Sequence, residues 1–167
     1  GEVVNFAINI YAQANVGTTE NGMLTATYNS NTRLGAGLGT TGAVNVALLA
    51  AIDGGKSDSL EIAENAYQFE MQLGNTGGRQ DQWAAALGGF NHLLFIGERV
   101  ERLPLEPLQS SKNWLSKHLI LVDSGIEHVS GEMHQEVWEK FKQGDSKVEE
   151  GLLMLRTAAK KMADGLN

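Results

Sequence analysis

The chain has 167 residues, of which 42% are hydrophobic, 20% charged and 7% aromatic; this suits one globular domain with a full-sized core and excludes disordered and fibrous classes. A net charge of −7 argues against non-specific affinity for nucleic acid or for an anionic membrane, and fits a soluble cytoplasmic protein. The absence of cysteine excludes a disulfide framework, a thiolate zinc site and a thiol nucleophile, and no run is long and apolar enough for a membrane span or a signal peptide.

Residues 3–16, VVNFAINIYAQANV, alternate with period two and read as one long strand. Val4, Phe6, Ile8, Ile10, Ala12, Ala14 and Val16 would face a core, opposite a mostly polar face. GTTENG (17–22) reads as a turn and MLTATYN (23–29) as a second strand, antiparallel to the first. RLGAGLGTTG (33–42) follows, with four glycines and two threonines in ten positions. AVNVALLAAID (43–53) is a helix apolar on most sides and expected to be deeply buried, with the glycines at 54–55 stopping it. A second helix runs from about Asp58 to Leu73, with Ile62, Ala66, Phe69 and Leu73 as its core stripe, and GNTGG (74–78) ends it. A short helix at about 79–87 is closed by Gly88 and Gly89. FNHLLFI and RVERLPL read as a hairpin, and the apolar run of HLILVDSG (118–125) as a fully buried strand. Helices at about 130–142 and 146–164 close the chain. The order predicts an α+β domain over residues 1–167, with helices packed on a mostly antiparallel sheet.

A strand, a glycine-rich turn and a helix start together form an anion site. The first N–H groups of the helix and its dipole favour phosphate, and glycines let the backbone approach closely. Thr40 and Thr41 add hydroxyls that could cap the helix, bind phosphate or reach a metal. The plainer alternative is a tight turn with a threonine N-cap. Residues 37–42 also fit G-x-G-x-x-G, but that dinucleotide fingerprint needs a second parallel strand after the helix, and here another helix follows. The Walker A pattern fails because no lysine follows the last glycine.

Two carboxylates stand out. Glu70 borders the buried stripe of the second helix, where a carboxylate needs a cation, a metal or several donors. Asp81 lies near the start of the short helix, where it caps that helix or faces a site. A phosphate cradle, a carboxylate or hydroxyl for Mg²⁺, and a carboxylate to orient or deprotonate an acceptor hydroxyl are the three requirements of phosphoryl transfer. Histidines 92, 118, 128 and 134 show no metal-ligand spacing. Trp83 reads as core packing in preference to a platform for a sugar ring.

GAGLGTTGAVNVALLAAI (35–52) resembles the second conserved motif of the GHMP kinases, the family of galactokinase, homoserine kinase, mevalonate kinase and phosphomevalonate kinase. That motif usually reads P-x-x-x-G-L-G-S-S-A-A. ENAYQFEMQLGNTGGRQDQWAAALGGFN (64–91) resembles the G-G-x-x-D-Q segment of the sugar-kinase branch, especially the heptose 7-phosphate kinases. The resemblance extends through HLILVDSGIEHVS and the last helices. It implies the N-terminal nucleotide-binding domain of that family and an ATP- and Mg²⁺-dependent kinase of a heptose or heptose phosphate. Gly35, Ala36, Gly37, Leu38, Gly39, Thr40, Thr41 and Gly42 would wrap the ATP phosphates. Thr40 or Thr41, with Glu70, would hold Mg²⁺. Asp81, eleven residues after Glu70 as in the family, would act on the sugar hydroxyl. Gly78, Arg79, Gln80 and His128 would lie beside the sugar. The substrate is a small sugar or sugar phosphate, with no nucleic acid or membrane partner, and homo-oligomerisation is left open.

The chain departs from the family at several points. Arg33 stands where the second motif has proline, and His128 where the heptose branch has arginine. The connection between Val16 and Asn29 is shorter than usual. The family's first and third motifs are not in the sequence, so the second domain would be absent or only begun at 146–167. A chain without an initiator Met reads as processed, trimmed or partial. The resulting alternative is a truncated, non-catalytic nucleotide-binding or interaction module of the same fold.

Overall fold

In the computed structural model, residues 1–75, 77–126 and 130–167 are described, with the side chains of 130–133 left aside. The elements in chain order are β1 (Glu2–Phe6), β2 (Ala12–Thr18), β3 (Leu24–Ser30), α1 (Thr40–Asp53), α2 (Ser59–Gln72), α3 (Gln80–Leu87), β4 (Phe90–Ile96), β5 (Arg99–Leu103), α4 (Gln109–His118), α5 (Ser130–Lys142) and α6 (Ser146–Leu166). Every ladder among the described residues is antiparallel, which makes the fold α+β. No helix among them is long and apolar enough to cross a membrane. Contacts divide the chain into two compact units, residues 1–7, 88–124 and 132–167 in the first, and 8–87 with 125–131 in the second.

In the first unit the strand order is β1-β4-β5. The β4–β5 hairpin turns at Gly97, whose φ of 58° suits the first central position of a tight hairpin turn. Leu93, at the centre of β4, is fully buried, and α6 packs on β1. Phe6 and Phe90 pack as a tilted pair with ring centroids 5.4 Å apart. The Glu2 side chain, only 9% exposed, places Oε1 2.9 Å from His92 Nε2 and accepts from Arg156 Nε at 3.4 Å. The His92 hydrogen bond, opposed by burial and helped by Arg156, holds the Glu2 carboxyl below its usual 4.5. A carboxyl lowered in this way stabilises the fold fully above its unfolded value, and the contribution is lost as pH falls through the lower folded value. Glu2→Gln is therefore expected to flatten the acid limb of the stability–pH profile below about 4.5. Denaturant midpoints measured across that range check it, and an unaltered limb would refute the pairing.

In the second unit β2 and β3 form a two-stranded ribbon, registered from Ala12↔Ser30 to Thr18↔Leu24. Ala12, Ala14 and Val16 are half-buried on the side that packs against α1. Val46, Ile62 and Ala66 form the core, with Leu49 and Ala86 packed against it, so α1, α2 and α3 share one interior. Asp58 is the N-cap of α2, accepting from Leu60 N and Glu61 N at 2.9 Å each. Asp58→Ala should cost about 1 kcal/mol of unfolding free energy. This would appear as a lower denaturant midpoint with an unchanged slope, and an unmoved midpoint would show that the cap contributes nothing.

Several expectations from the sequence need correction. The alternating run of residues 3–16 is two strands in two sheets. The ladder to β4 closes where Ala7 N donates to Gly89 O at 2.8 Å, and β2 begins only at Ala12. Period-two patterning records which face is buried, not which sheet buries it. HLILVDSG is not a buried strand: residues 119–125 lie outside any strand, and Ile120 and Val122 are 81% and 79% exposed. An apolar run becomes a buried strand only where a ladder receives it, and none does among the described residues. The helix α4 just before it was not predicted, because QSSKNWLSKH has no apolar stripe; none of its residues is buried. Helix α1 is buried along its first half, at Thr40, Gly42, Val44 and Val46, and is more exposed toward Ile52. In α2 the buried stripe is Ile62, Ala63, Ala66 and Glu70. Leu73 is the C-cap and is 70% exposed.

Candidate functional site

The stretch from Arg33 to Gly42 owes its glycines to two separate requirements. Gly35, Gly37 and Gly39 have φ values of 76°, 75° and 68°, while Ala36 and Leu38 between them do not have positive φ. Such alternation in sign is the pattern of backbone nests that turn successive N–H groups toward an anion, and a side chain is strained at the positive positions. Gly42 is different. It is helical without a positive φ, and an added Cβ would meet Asp81 Cβ at 3.0 Å and Gln82 N at 3.2 Å. At Gly39 a Cβ would meet Asp81 Cγ, also at 3.0 Å. The glycine loop and the carboxylate of α3 are therefore in contact across some forty positions of sequence, and the missing side chains make that contact possible.

Helix α1 starts at this contact. Its N-cap is Gly39, and no side chain caps it, whereas Asp58 and Asp145 cap α2 and α6. The threonine-cap reading is thereby excluded. The two threonines differ. Thr40 is buried, and its hydroxyl shares a 2.9 Å hydrogen bond with that of Thr32, which in turn lies 3.3 Å from the Ser30 hydroxyl. Thr41 is exposed. The dinucleotide fingerprint also fails on the structure, because α1 leads into α2 with no parallel strand between them.

Glu70 is 4% exposed on the inner face of α2. Its Oε1 accepts from Asn45 Nδ2 at 2.9 Å and its Oε2 from Asn75 Nδ2 at 2.6 Å. Asn45 lies one turn beyond Thr41 on α1, so the two share a helix face. Arg79 is turned onto α2: its Nε lies 3.2 Å from Glu64 Oε2, and its guanidinium stands 4.4 Å from the centre of the Tyr67 ring. Gly78 and Gln80 are exposed on either side of it. Trp83 is buried, as core packing requires. His128 lies outside the described residues.

Among the described residues no group of three or more His, Asp or Glu side chains forms a metal cage. Mg²⁺ rarely uses one; it is commonly held by one or two carboxylates together with substrate phosphates. A buried carboxylate whose bonded partners among the described residues are neutral amides, with an exposed hydroxyl one turn away from one of them, is a hard-oxygen set that fits such an ion. Asn45 and Asn75 were missed in the sequence. A lone amide between Val44 and Val46 in an otherwise apolar helix was the one available signal for Asn45. Asn75 sat unremarked among the glycines of a turn.

Fold and site together define an α+β protein with a glycine-rich loop at an uncapped helix start and a carboxylate packed against it. The chain belongs to the GHMP kinases: residues 3–89, just over half of it, match the GHMP kinases N terminal domain. It is similar to D-glycero-alpha-D-manno-heptose 7-phosphate kinase of Campylobacter jejuni, at 35% identity over 111 residues, which cover 64% of this chain and 31% of that protein. A crystal structure of a candidate sugar kinase from Campylobacter jejuni matches at 28% identity and a TM-score of 0.47, over 78% of this chain and 43% of that one. The chain thus spans about a third to two fifths of the length of the relatives it matches.

Proposed function

We propose that the chain is the nucleotide-binding part of a cytoplasmic, ATP- and Mg²⁺-dependent sugar kinase acting on a heptose or heptose phosphate. The observation that carries this reading is the contact of Asp81 with Gly39 and Gly42. A carboxylate set against a phosphate cradle weakens anion binding by like-charge repulsion, so its place there is best explained by work on a proton. In the proposed reaction a sugar hydroxyl oxygen forms a bond to the γ-phosphorus, the bond from that phosphorus to the bridging β-oxygen breaks, and ADP leaves. Asp81 orients the hydroxyl and takes its proton. The N–H groups from Gly35 to Gly42 hold the phosphates. Thr41 and Glu70 would hold Mg²⁺, with Thr40 engaged instead by Thr32. Mg²⁺, when bound, supplies charge neutralisation of the phosphate oxygens. Gly78 and Gln80 border the acceptor site, and Arg79, held by Glu64 and Tyr67, fixes the loop between them. His128 remains a proposed sugar contact.

The test is Mg·ATP titration followed by ADP release with and without D-glycero-D-manno-heptose 7-phosphate. Sugar-dependent ADP release supports the kinase. A second reading is a non-catalytic nucleotide-binding module of the same fold. It predicts ATP binding without ADP release. A folded chain that binds no nucleotide refutes both.

A further inference from the structure

We propose that Asn45 and Asn75 are positioning residues for Glu70, and that through them the cation carboxylate is tied to both the phosphate helix and the loop that delivers Asp81. This rests on the proposed role of Glu70 in holding a divalent cation. A buried carboxylate is ordinarily balanced by a cationic side chain; the partners of Glu70 are two neutral amides, one on each oxygen. A carboxylate offers about four acceptor positions, so each oxygen keeps one for an ion. An arginine in place of either amide would compete with that ion; an amide orients the group without neutralising it.

The two amides come from different elements. Asn45 belongs to α1, on the face of Thr41. Asn75 opens the loop that runs to Gly78, Arg79, Gln80 and Asp81, and it is bonded three ways. Its N donates to Glu70 O at 3.0 Å, its Nδ2 to Glu70 Oε2, and its Oδ1 accepts from Gly77 N at 3.0 Å. The start of the Asp81 loop is thus built on the side chain and backbone of Glu70.

The experiment measures Mn²⁺ binding to the full chain with ATP by paramagnetic resonance, beside ATP binding in EDTA. Asn45→Ala and Asn75→Ala are expected to weaken Mn²⁺ binding by about ten- to a hundredfold, the usual effect of losing a group that orients a metal ligand, while metal-free ATP affinity stays within twofold. Mn²⁺ affinity unchanged in both variants, or ATP affinity in EDTA falling in parallel with it, overturns the proposal. Asn45→Ser and Asn75→Ser stop one bond short of the amide nitrogen and withdraw the donor from Glu70; they serve if the alanine chains do not fold, and serine variants equal to wild type overturn the proposal equally. A wild-type chain that binds ATP in EDTA but no Mn²⁺ with it refutes the Glu70 cation reading itself, an outcome distinct from failure of the asparagine assignment.

Discussion

Gly39→Val is expected to weaken ATP binding by roughly a hundredfold. Two effects combine at this position. Gly39 has a φ of 68°, and left-handed backbone costs a residue with a side chain about 1–2 kcal/mol. The new Cβ would also press on Asp81 Cγ at 3.0 Å, and overpacking of this kind typically costs about 1–3 kcal/mol. The chain relieves both by moving the loop, which carries the N–H groups proposed to hold phosphate; a factor of a hundred corresponds to about 2.8 kcal/mol. Gly54 supplies the control. Its φ is also 68°, but an added Cβ there meets nothing within 4 Å. Gly54→Val should therefore lower stability and leave ATP affinity unchanged. Calorimetric titration of both variants decides the matter: wild-type affinity in Gly39→Val would remove the loop from the nucleotide site.

Asp81→Asn is expected to reduce sugar-dependent ADP release by about a hundred- to ten-thousandfold, the range for loss of a general base, with ATP affinity retained or improved. The substitution keeps the shape that fits against Gly39 and Gly42 while removing the negative charge and the capacity to accept a proton. If Asp81 serves only the start of α3, where it stands in the first turn, the variant would lose about 0.3–1 kcal/mol of stability through the helix dipole and keep its turnover. Rate and denaturant midpoint measured on the same preparation separate the two roles.

How far the sequence leads depends on the range of the interaction involved. The glycine loop, the helix that follows it, the start of α2 near Asp58 and the β4–β5 hairpin are written in neighbouring residues, and they stand where local patterning puts them. Glu70 could be singled out because a carboxylate beside an apolar stripe is locally anomalous. Its partners could not: Asn45 becomes meaningful only when α1 is laid against α2, and Asn75 only when the turn after α2 closes onto Glu70. The packing of Asp81 on Gly42 is likewise invisible in one dimension, since a glycine needed for space looks the same as a glycine needed for a turn. Local patterning also misled. It joined β1 to β2 because both alternate, and it made a strand of HLILVDSG because nothing in the run records whether a neighbour exists. The pairing of Arg79 with Glu64 and Tyr67 is set by how the loop after α2 folds back, and its neighbours in sequence do not record it.

Gly42 carries one more consequence. Glycine inside a helix is about 1 kcal/mol less favourable than alanine, and the family's usual motif has alanine at this place. The chain tolerates a weaker helix here, and the missing methyl group acts as a removed shim. The separation between the backbone of α1 and the side chain of Asp81 is set by the thickness of a single substituent. The reach of the carboxylate toward whatever lies at the helix start is thereby a machined dimension of this chain.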